Sequence, residues 1–454
     1  MKKEMRILSP TGIVGYGFPE ASFQAGVALK PDLIACDAGS TDPGPYYLGS
    51  GIPFTNATAV KRDMTLMLKA ACELNIPLVI GSCGGAGADV HLAREVNILK
   101  EIAKEQSLSF KLAVISAEFD QEILVEHLNA GHIEKLGPAP EITEEAIRSS
   151  THIVAQMGIE PIIQALDDGA QVILCGRCYD PAPFAAPAIR LGYDKALALH
   201  LGKILECATI CATPGSGADC IMGYLGEDYF CVEPLNPERK CTPLSVSAHT
   251  LYEKSNPYIL PGPGGHLDLY DCTFTADTDR RVRVAGTRFI EEAVPSVKLE
   301  GARRAGYRSI SICGNRDPIF ISQVDAILED LKRQTAANLS ADFDYELDFI
   351  VYGKNGVMGQ LEPNTQISSH EIGIIIDCVA DTQEHSAAVC SVARSTLLHY
   401  GYPGRIATAG NLAFPFSPSD IEVGAAYVFS VYGLLRSENP VSLFARTYET
   451  IGEA

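Results

Sequence analysis

The sequence lacks the features that define several large classes of protein. It has no uninterrupted apolar run of about 18 residues, so no membrane span is expected. Its first residues contain no apolar stretch typical of a signal peptide. It has neither a G-x-x-x-x-G-K-[ST] loop nor a G-x-S-x-G elbow, which argues against a P-loop protein and an α/β-hydrolase. A cytoplasmic protein with another kind of site is therefore expected.

The chain also lacks an excess of positive charge. It carries 56 acidic and 36 basic residues, which gives a net charge of −20 and a pI near 4.9. Nucleic acid and anionic membranes would be repelled by such a protein, so neither is an expected partner. The acidity is typical of a soluble protein, and local arginines could still hold a small anionic substrate.

Cysteine is plentiful, but it is not arranged as a disulfide framework. The 14 cysteines are spread through predicted strands and helices, where a reduced thiol packs as a small apolar group. This usage fits a reducing compartment. At 454 residues the chain is too long for one ordinary core, and a homo-oligomer is expected for a metabolic protein of this size.

The first 200 residues repeat a strand, a polar glycine-rich turn and a helix. This alternation predicts an α/β fold with a mostly parallel, doubly wound sheet. The predicted strands are apolar throughout, as doubly buried strands should be: Met5 to Ser9, Pro31 to Cys36, Pro77 to Ile80, Lys111 to Ser116 and Gln171 to Cys175. Residues 143–158 are predicted to form a helix.

The pattern changes twice along the chain. We predict an α/β domain at 1–214, a β-rich region at 215–340 packed on that domain, and a C-terminal domain at 341–454. The C-terminal part has strands at 345–352 and 372–379, a helix at 382–399 and further β-structure after it. This order predicts a small ferredoxin-like α+β domain.

Chemically active side chains follow the predicted strands where each strand ends. Ligands of such sheets bind outside the carboxyl ends of the strands. Any one of these residues could instead cap a helix, but five turns of this composition favour a site. The residues are Asp37, Ser40, Asp42, Ser82, Asp89, Glu118, Arg177 and Asp180.

A second polar stretch, Ser247 to Asp268, combines three prolines and three glycines with ionisable groups. Such a loop is stiff, and stiff polar loops often carry binding groups. We expect it to bring His249, Glu253 and His266 toward the strand ends. The alternative is a hydrogen-bonded turn that closes a domain interface.

Three turns have some of the features of specific ligand sites. The turn Thr11 to Gly17 lacks the order G-x-G-x-x-G, so NAD is disfavoured although Asp37 would suit a ribose. The turn Gly81 to Asp89 could cradle a carboxylate or simply pack a helix on a strand. Cys175 and Cys178 have C-x-x-C spacing but no second pair, which argues against zinc, and Arg177 between them could hold a carboxylate.

These groups predict acid–base chemistry. The candidate catalytic residues are His249, Glu253, Asp180 and Asp42. His249 and His266, together with Glu253 and Asp268, could instead form part of a divalent metal shell with Asp37 or Asp180. The candidate substrate-binding residues are Asp37, Ser40, Tyr46, Ser82, Gly84, Gly85, Arg177, Tyr252, Asn256 and His266.

Several longer segments resemble one family over nearly the whole chain. They are DAGSTDPGPYYLG (37–49), IGSCGGAGAD (80–89), HTLYEKSNP (249–257), PGGHLD (263–268), RRVRVAGTRF (280–289) and FPFSPSD (414–420). This set resembles the acyclic terpene utilisation (AtuA) family. The resemblance implies a large N-terminal α/β part, a ferredoxin-like C-terminal part and a role in breaking down branched, citronellol-type acids. The first turn departs from the family pattern, because it lacks an aspartate after its glycines.

The residues and the resemblance together predict a cytosolic catabolic enzyme. We expect a hydratase, isomerase or lyase step on a small carboxylate or acyl-CoA substrate, with metal-assisted chemistry at the same place as a second hypothesis. The alternative from another class is a non-catalytic subunit that binds a ligand or mediates assembly of a catabolic complex.

Overall fold

The computed structural model describes residues 4–252, 254–339 and 342–452. The chain forms two compact units. The first contains the described residues up to Arg303 and those from Phe429 onward, and the second contains Arg304–Val428. Across the described ranges, no helix has both the length and the apolar character needed to cross a membrane.

The strands follow one another along the chain in this order: β1 (Met5–Ser9), β2 (Leu33–Asp37), β3 (Leu78–Gly81), β4 (Phe110–Ile115), β5 (Ile133–Lys135), β6 (His152–Ala155), β7 (Val172–Cys175), β8 (Ala212–Thr213), β9 (Ile221–Leu225), β10 (Phe230–Pro234), β11 (Lys240–Cys241), β12 (Ile259–Gly262), β13 (Gly265–Asp268), β14 (Thr273–Ala276), β15 (Val282–Ala285), β16 (Arg288–Glu291), β17 (Ser296–Asn315), β18 (Tyr345–Tyr352), β19 (Ile372–Ala380), β20 (Asp420–Arg436) and β21 (Arg446–Ile451).

The helices are α1 (Glu20–Ala28), α2 (Pro45–Ser50), α3 (Ala57–Leu74), α4 (Asp89–Gln106), α5 (Gln121–Asn129), α6 (Glu144–Ser149), α7 (Glu160–Asp167), α8 (Ala182–Arg190), α9 (Lys195–Leu205), α10 (Pro243–Leu251), α11 (Pro318–Ser322), α12 (Val324–Leu339) and α13 (Gln383–Leu398). Short 3₁₀ turns occur at Ala208–Cys211, Gly359–Leu361 and Pro440–Leu443.

A ten-stranded sheet forms the centre of the first unit, in the order β14-β15-β10-β9-β1-β2-β3-β7-β4-β21. The five strands β1, β2, β3, β7 and β4 are parallel to one another. Antiparallel strands extend this group on both sides, through β9 next to β1 and β21 next to β4. The sheet is therefore mixed, and the predicted parallel arrangement describes its central strands.

Both faces of the central strands are buried. Neighbouring residues of each strand point to opposite faces, and the residues of each face lie in an apolar cluster. Leu8 and Ile34 pack in one apolar cluster with residues of α3 and α4. Ile7 and Leu33 pack in a second cluster with residues of α8 and α9. Burial on both faces explains why these strands are apolar at most positions.

The stretch from Ser247 to Asp268 contains the end of α10 and a β-hairpin. In this hairpin β12 pairs antiparallel with β13, with Gly262 opposite Gly265. Strand β16 pairs with the other side of β13 and completes a three-stranded sheet.

The predicted helix at 143–158 is wrong. The short helix α6 ends at Ser149, and His152–Ala155 forms β6 instead. This strand pairs antiparallel with the first part of β17, with Ala155 opposite Leu299. Its β-branched residues Ile153 and Val154 suit a strand, and this long-range pairing decides the conformation of the segment.

The second unit has the element order β17, α12, β18, β19, α13 and β20, with strand order β18-β19-β17-β20. Every second residue of β19 is buried. These residues pack with α12 and α13 in one apolar cluster that includes Ile374, Leu331 and Val389. The sheet of this unit thus has one face covered by its two longer helices.

Candidate functional site

The sheet order places the ends of β2, β3 and β7 side by side. Asp37, the last residue of β2, lies opposite Gly81, the last residue of β3. A Cβ atom built on Gly81 would lie 2.7 Å from Pro183 Cγ and 3.4 Å from Asp37 Oδ1. The segment after β7 is thus packed tightly against the end of β3, which brings Asp180 to the same edge as Asp37.

A cavity of about 220 Å³ opens at this edge of the first unit. Four carboxyl groups, one ammonium group, one thiol and two phenols line it. The lining residues are Gly12, Ile13, Tyr16, Asp37, Gly39, Ser40, Asp42, Asp180, Lys203, Glu206, Cys207, Ile210, Gly217 and Tyr252.

Three of these residues, Asp37, Asp180 and Glu206, form a carboxyl trio. One oxygen from each lies within 4.8 Å of the others. Burial raises the pKa of Asp37 above its usual range, and the charges of Asp180 and Glu206 raise it further. Burial also raises the pKa of Glu206, to about 8. Three carboxyls this close cannot all stay ionised without a compensating charge.

Lys203 supplies part of that charge. It lies three residues before Glu206 at the end of α9, and the two side chains form an ion pair. Burial alone would lower the pKa of Lys203, but the carboxylates of Glu206 and Asp180 raise it above its usual value. The ammonium group therefore stays charged beside the trio.

Arg177 is a buried support of the trio. Its Nη1 donates to Asp180 Oδ1 at 3.1 Å, to the Cys178 carbonyl at 2.7 Å and to Ser82 Oγ at 3.1 Å. Its Nε donates to Glu300 Oε2 at 2.8 Å. The residue is only 2% exposed, so these contacts fix the position of Asp180.

Glu300 completes this buried network from β17. Besides Arg177, its carboxylate accepts a hydrogen bond from Thr41 Oγ1 at 2.9 Å and pairs with Lys298 Nζ at 2.7 Å. Burial would raise the pKa of Glu300, but Arg177 and Lys298 lower it to about 2. Glu300 is therefore ionised throughout the neutral range.

The glycines of the turn 81–89 allow close packing of backbones. Gly87 has φ of +69°, and a Cβ atom there would lie 2.2 Å from the Arg177 backbone nitrogen. A Cβ atom on Gly39 would lie 2.8 Å from Gly85 Cα, and one on Gly84 would lie 2.7 Å from His91 Cβ. These contacts hold the loops after β2, β3 and β7 together.

His249 and Tyr252 lie at the end of α10. Their rings stack, with centroids 5.0 Å apart and an angle of 25° between the planes. Tyr252 lines the cavity, whereas His249 is buried and does not. Burial and the nearby charges of Lys203 and Lys254 lower the pKa of His249 to about 4, so its ring is neutral at pH 7. Glu253 lies outside the described residues.

The remaining predicted residues divide between the cavity and other places. Ser40 and Asp42 line the cavity, and Ser40 Oγ donates to Asp42 Oδ2 at 2.8 Å. Tyr46 packs its ring edge-on against Tyr47, and Asn256 Nδ2 donates to the Tyr270 hydroxyl at 3.4 Å. His266 lies in β13, opposite Pro261 and Ile290. The last three positions are not among the residues lining the cavity.

Two more predicted strand-end residues form a separate ion-pair cluster. Glu118 accepts hydrogen bonds from His152 Nδ1 at 2.6 Å and from the Asp89 backbone nitrogen at 2.7 Å. The hydrogen bond to Glu118 raises the pKa of His152. Because Asp89 is the first residue of α4, this cluster caps a helix.

The turn after β1 is closed by an internal carboxylate. Asp63 is fully buried, and its Oδ2 accepts hydrogen bonds from the backbone nitrogens of Gly15 at 2.9 Å and Gly17 at 3.0 Å. In a dinucleotide-binding turn such amides face the pyrophosphate. Here a side chain of the same chain already satisfies them.

Comparison with known proteins gives one match. The family model described as "Acyclic terpene utilisation family protein AtuA" matches residues 56–219 and 233–417. No curated protein and no solved structure matches the chain significantly. The family match covers most of both units, and the chain therefore belongs to the acyclic terpene utilisation (AtuA) family.

Proposed function

We propose that this protein is a cytosolic enzyme of acyclic terpene utilisation that transfers protons on a small carboxylate or acyl-CoA substrate. The reaction class is a hydratase, isomerase or lyase step. The observation that carries the proposal is the cavity at the carboxyl edge, where the carboxyl trio and Lys203 lie together. Family membership supports the pathway, and the lining residues support the chemistry.

In this proposal Asp42 is the general base. It is exposed at the cavity, it is held by Ser40, and it lies outside the trio. Removal of a proton next to a carbonyl group leaves negative charge on the carbonyl oxygen, and Lys203 is the lining cation that stabilises such charge. His249, which stacks on Tyr252 without lining the cavity, positions that phenol.

Deuterium exchange tests the proposal directly. Branched carboxylates and acyl-CoA esters are incubated with the protein in D₂O, and exchange at carbon is followed by NMR. We expect exchange with at least one branched substrate, and a loss of about 100-fold in D42N and in K203M. The control is D279N, which changes an exposed aspartate in the turn after β14. Unchanged exchange in both site variants, or no exchange with any substrate, overturns the proposal.

We infer a doubly wound first domain, because helices supply apolar clusters on both faces of the parallel strands. The order of elements and strands in the second unit supports a ferredoxin-like fold. The division at 1–214, 215–340 and 341–454 and a homo-oligomeric state stay predictions, which limited proteolysis and light scattering test.

The alternative function is a non-catalytic subunit that binds a ligand or assembles a catabolic complex. Three large apolar side chains of the second unit favour it, because they are almost fully exposed and would lose that exposure against a partner. Val357 is 87% exposed, Leu361 81% and Ile406 94%. Under this alternative no substrate exchanges deuterium, and polar substitutions at these three positions release a partner.

A further inference from the structure

We propose that Asp37, Asp180 and Glu206 bind one divalent cation that prefers oxygen ligands, namely Mg²⁺, Mn²⁺ or Ca²⁺. This inference rests on the proposed function in one respect, since the cation would hold the anionic substrate of that reaction. Its geometric basis is independent of any substrate.

The spacing of the trio matches a shared ion. Two oxygens bound to the same ion cannot be farther apart than twice the metal–oxygen distance. This upper limit on the oxygen–oxygen distance is about 4.2 Å for Mg²⁺ and about 4.8 Å for Ca²⁺. The three carboxylate oxygens lie within 4.8 Å of one another, which equals the limit for Ca²⁺, whereas Mg²⁺ would draw the side chains closer together. Among the described residues, this is the one group of three His, Cys, Asp or Glu side chains with such spacing. An all-oxygen set selects hard cations over zinc or copper.

Besides the spacing of the trio, an unsatisfied carboxylate oxygen of Asp37 indicates a ligand. Asp37 is 5% exposed and lines the cavity, and its Oδ1 is buried without a hydrogen-bond partner in the described part of the protein. A buried carboxylate oxygen without a partner is costly, and a metal ion is one of the few groups that compensate it. The other oxygen, Oδ2, accepts a hydrogen bond from the Gly39 backbone nitrogen at 3.2 Å.

The other two carboxyls are also oriented by neighbours. Arg177 holds Asp180 Oδ1, and Lys203 holds Glu206 Oε1. Partners of this kind fix ligand orientation in metal sites and tune affinity. Because both partners are cations, they compete with the metal for negative charge, so we expect binding in the micromolar to millimolar range rather than tighter.

The negative charge of the cavity gives a reason why the proposed reaction would need a cation. Four carboxyls and a single ammonium group line it, and the nearby guanidinium of Arg177 is already bonded to Glu300 and Asp180. A carboxylate substrate entering this cavity would be repelled by those carboxyls that are ionised. A divalent cation on the trio would reverse that, and it would polarise the substrate carbonyl for proton removal.

Mn²⁺ is the probe for this site, because free and bound Mn²⁺ are distinguished by electron paramagnetic resonance. The full chain is treated with EDTA, dialysed and titrated with Mn²⁺, followed by competition with Mg²⁺ and Ca²⁺. We expect saturable binding of one ion per chain. D37N and E206Q should each weaken it by at least about tenfold. D279N is the control, since Asp279 is exposed in the turn after β14 and is not among the residues lining the cavity, and it should change the affinity by less than about threefold.

The outcomes separate this inference from the proposed function. Absence of saturable Mn²⁺ binding in the wild-type protein overturns the cation site. So does a Mn²⁺ affinity in D37N and E206Q equal to that of the wild-type protein, when circular dichroism shows that both variants are folded. Deuterium exchange that persists in EDTA overturns the role of the cation in the reaction and leaves the proposed enzyme standing. Stoichiometric Mn²⁺ binding without deuterium exchange supports the cation site and overturns the proposed enzyme.

Discussion

Replacing Glu300 with glutamine should strongly destabilise the first unit. Glu300 is 1% exposed and joins Arg177, Lys298 and Thr41. In E300Q one carboxylate oxygen becomes an amide nitrogen, so a donor faces the donors around it. The negative charge that balances the buried guanidinium is also lost. The substitution preserves volume, and thus isolates these electrostatic effects from packing.

The expected cost is about 3 kcal/mol. The pKa of Glu300 is about 2 rather than the usual 4.5, and this difference corresponds to roughly 3 kcal/mol of favourable interaction with the ionised form. Breaking a buried ion pair by removing one partner costs about 3–5 kcal/mol, which agrees with that figure. A lowered pKa in the folded state means that this stability is present above pH 4.5 and is lost as the pH falls toward 2. At pH 4 the difference between the two proteins should therefore be about 1 kcal/mol smaller than at pH 7.

Urea unfolding followed by circular dichroism measures this difference, because the chain has no tryptophan to report by fluorescence. The control is E134Q, which changes an exposed carboxylate paired with Arg436 at 3.0 Å. That surface pair should contribute less than about 1 kcal/mol. If E300Q lost no more stability than E134Q, the buried network would not be the support of Asp180 that we describe.

Three further predictions concern other buried features. Burial raises the pKa of Glu95 to about 7, so ionisation of this carboxyl destabilises the folded protein as the pH rises. The unfolding free energy of E95Q should therefore exceed that of wild type by an amount that grows between pH 5 and pH 8, up to roughly 3 kcal/mol. A gain that did not change with pH would contradict this. G87A should cost several kcal/mol more than G131A in urea unfolding, because both glycines have positive φ but only the first adjoins Arg177. D63N should lower the unfolding free energy by about 1–3 kcal/mol, since it disturbs two buried backbone hydrogen bonds, and a loss below about 0.5 kcal/mol would refute that.

The central strands of the first unit could be predicted from the sequence, because they are short apolar runs that end in glycine or polar residues. The strand at Met5–Ser9 has its predicted bounds, and Lys111 to Ser116 differs by one residue at each end. In the second unit, Tyr345–Tyr352 also has its predicted bounds. Such runs are decided locally, by burial on one or both faces.

Strand partners could not be predicted in the same way. The antiparallel neighbours of the parallel core, β9 and β21, come from positions far along the chain. The segment at His152–Ala155 became a strand because β17 pairs with it, and nothing in its own residues specifies that partner. Sequence patterns describe one element at a time, whereas pairing is a property of two.

The predicted part of the site lies on turns that follow strands, and the part that was not predicted lies at the end of a helix. Asp37 and Asp180 were expected at the cavity because they follow strands, and the ends of neighbouring parallel strands must meet at one edge. Lys203 and Glu206 lie at the end of α9, whose other residues are largely apolar and buried. The signal was present in the sequence as two ionisable residues, three positions apart, closing an apolar Ala- and Leu-rich helix. Charged side chains are rarely buried unless they are paired, so two of them closing a buried helix predict charged neighbours, and here these are the two aspartates at the strand ends. Lys203 supplies one positive charge beside three carboxyls, and this imbalance is the reason for proposing a cation at the trio.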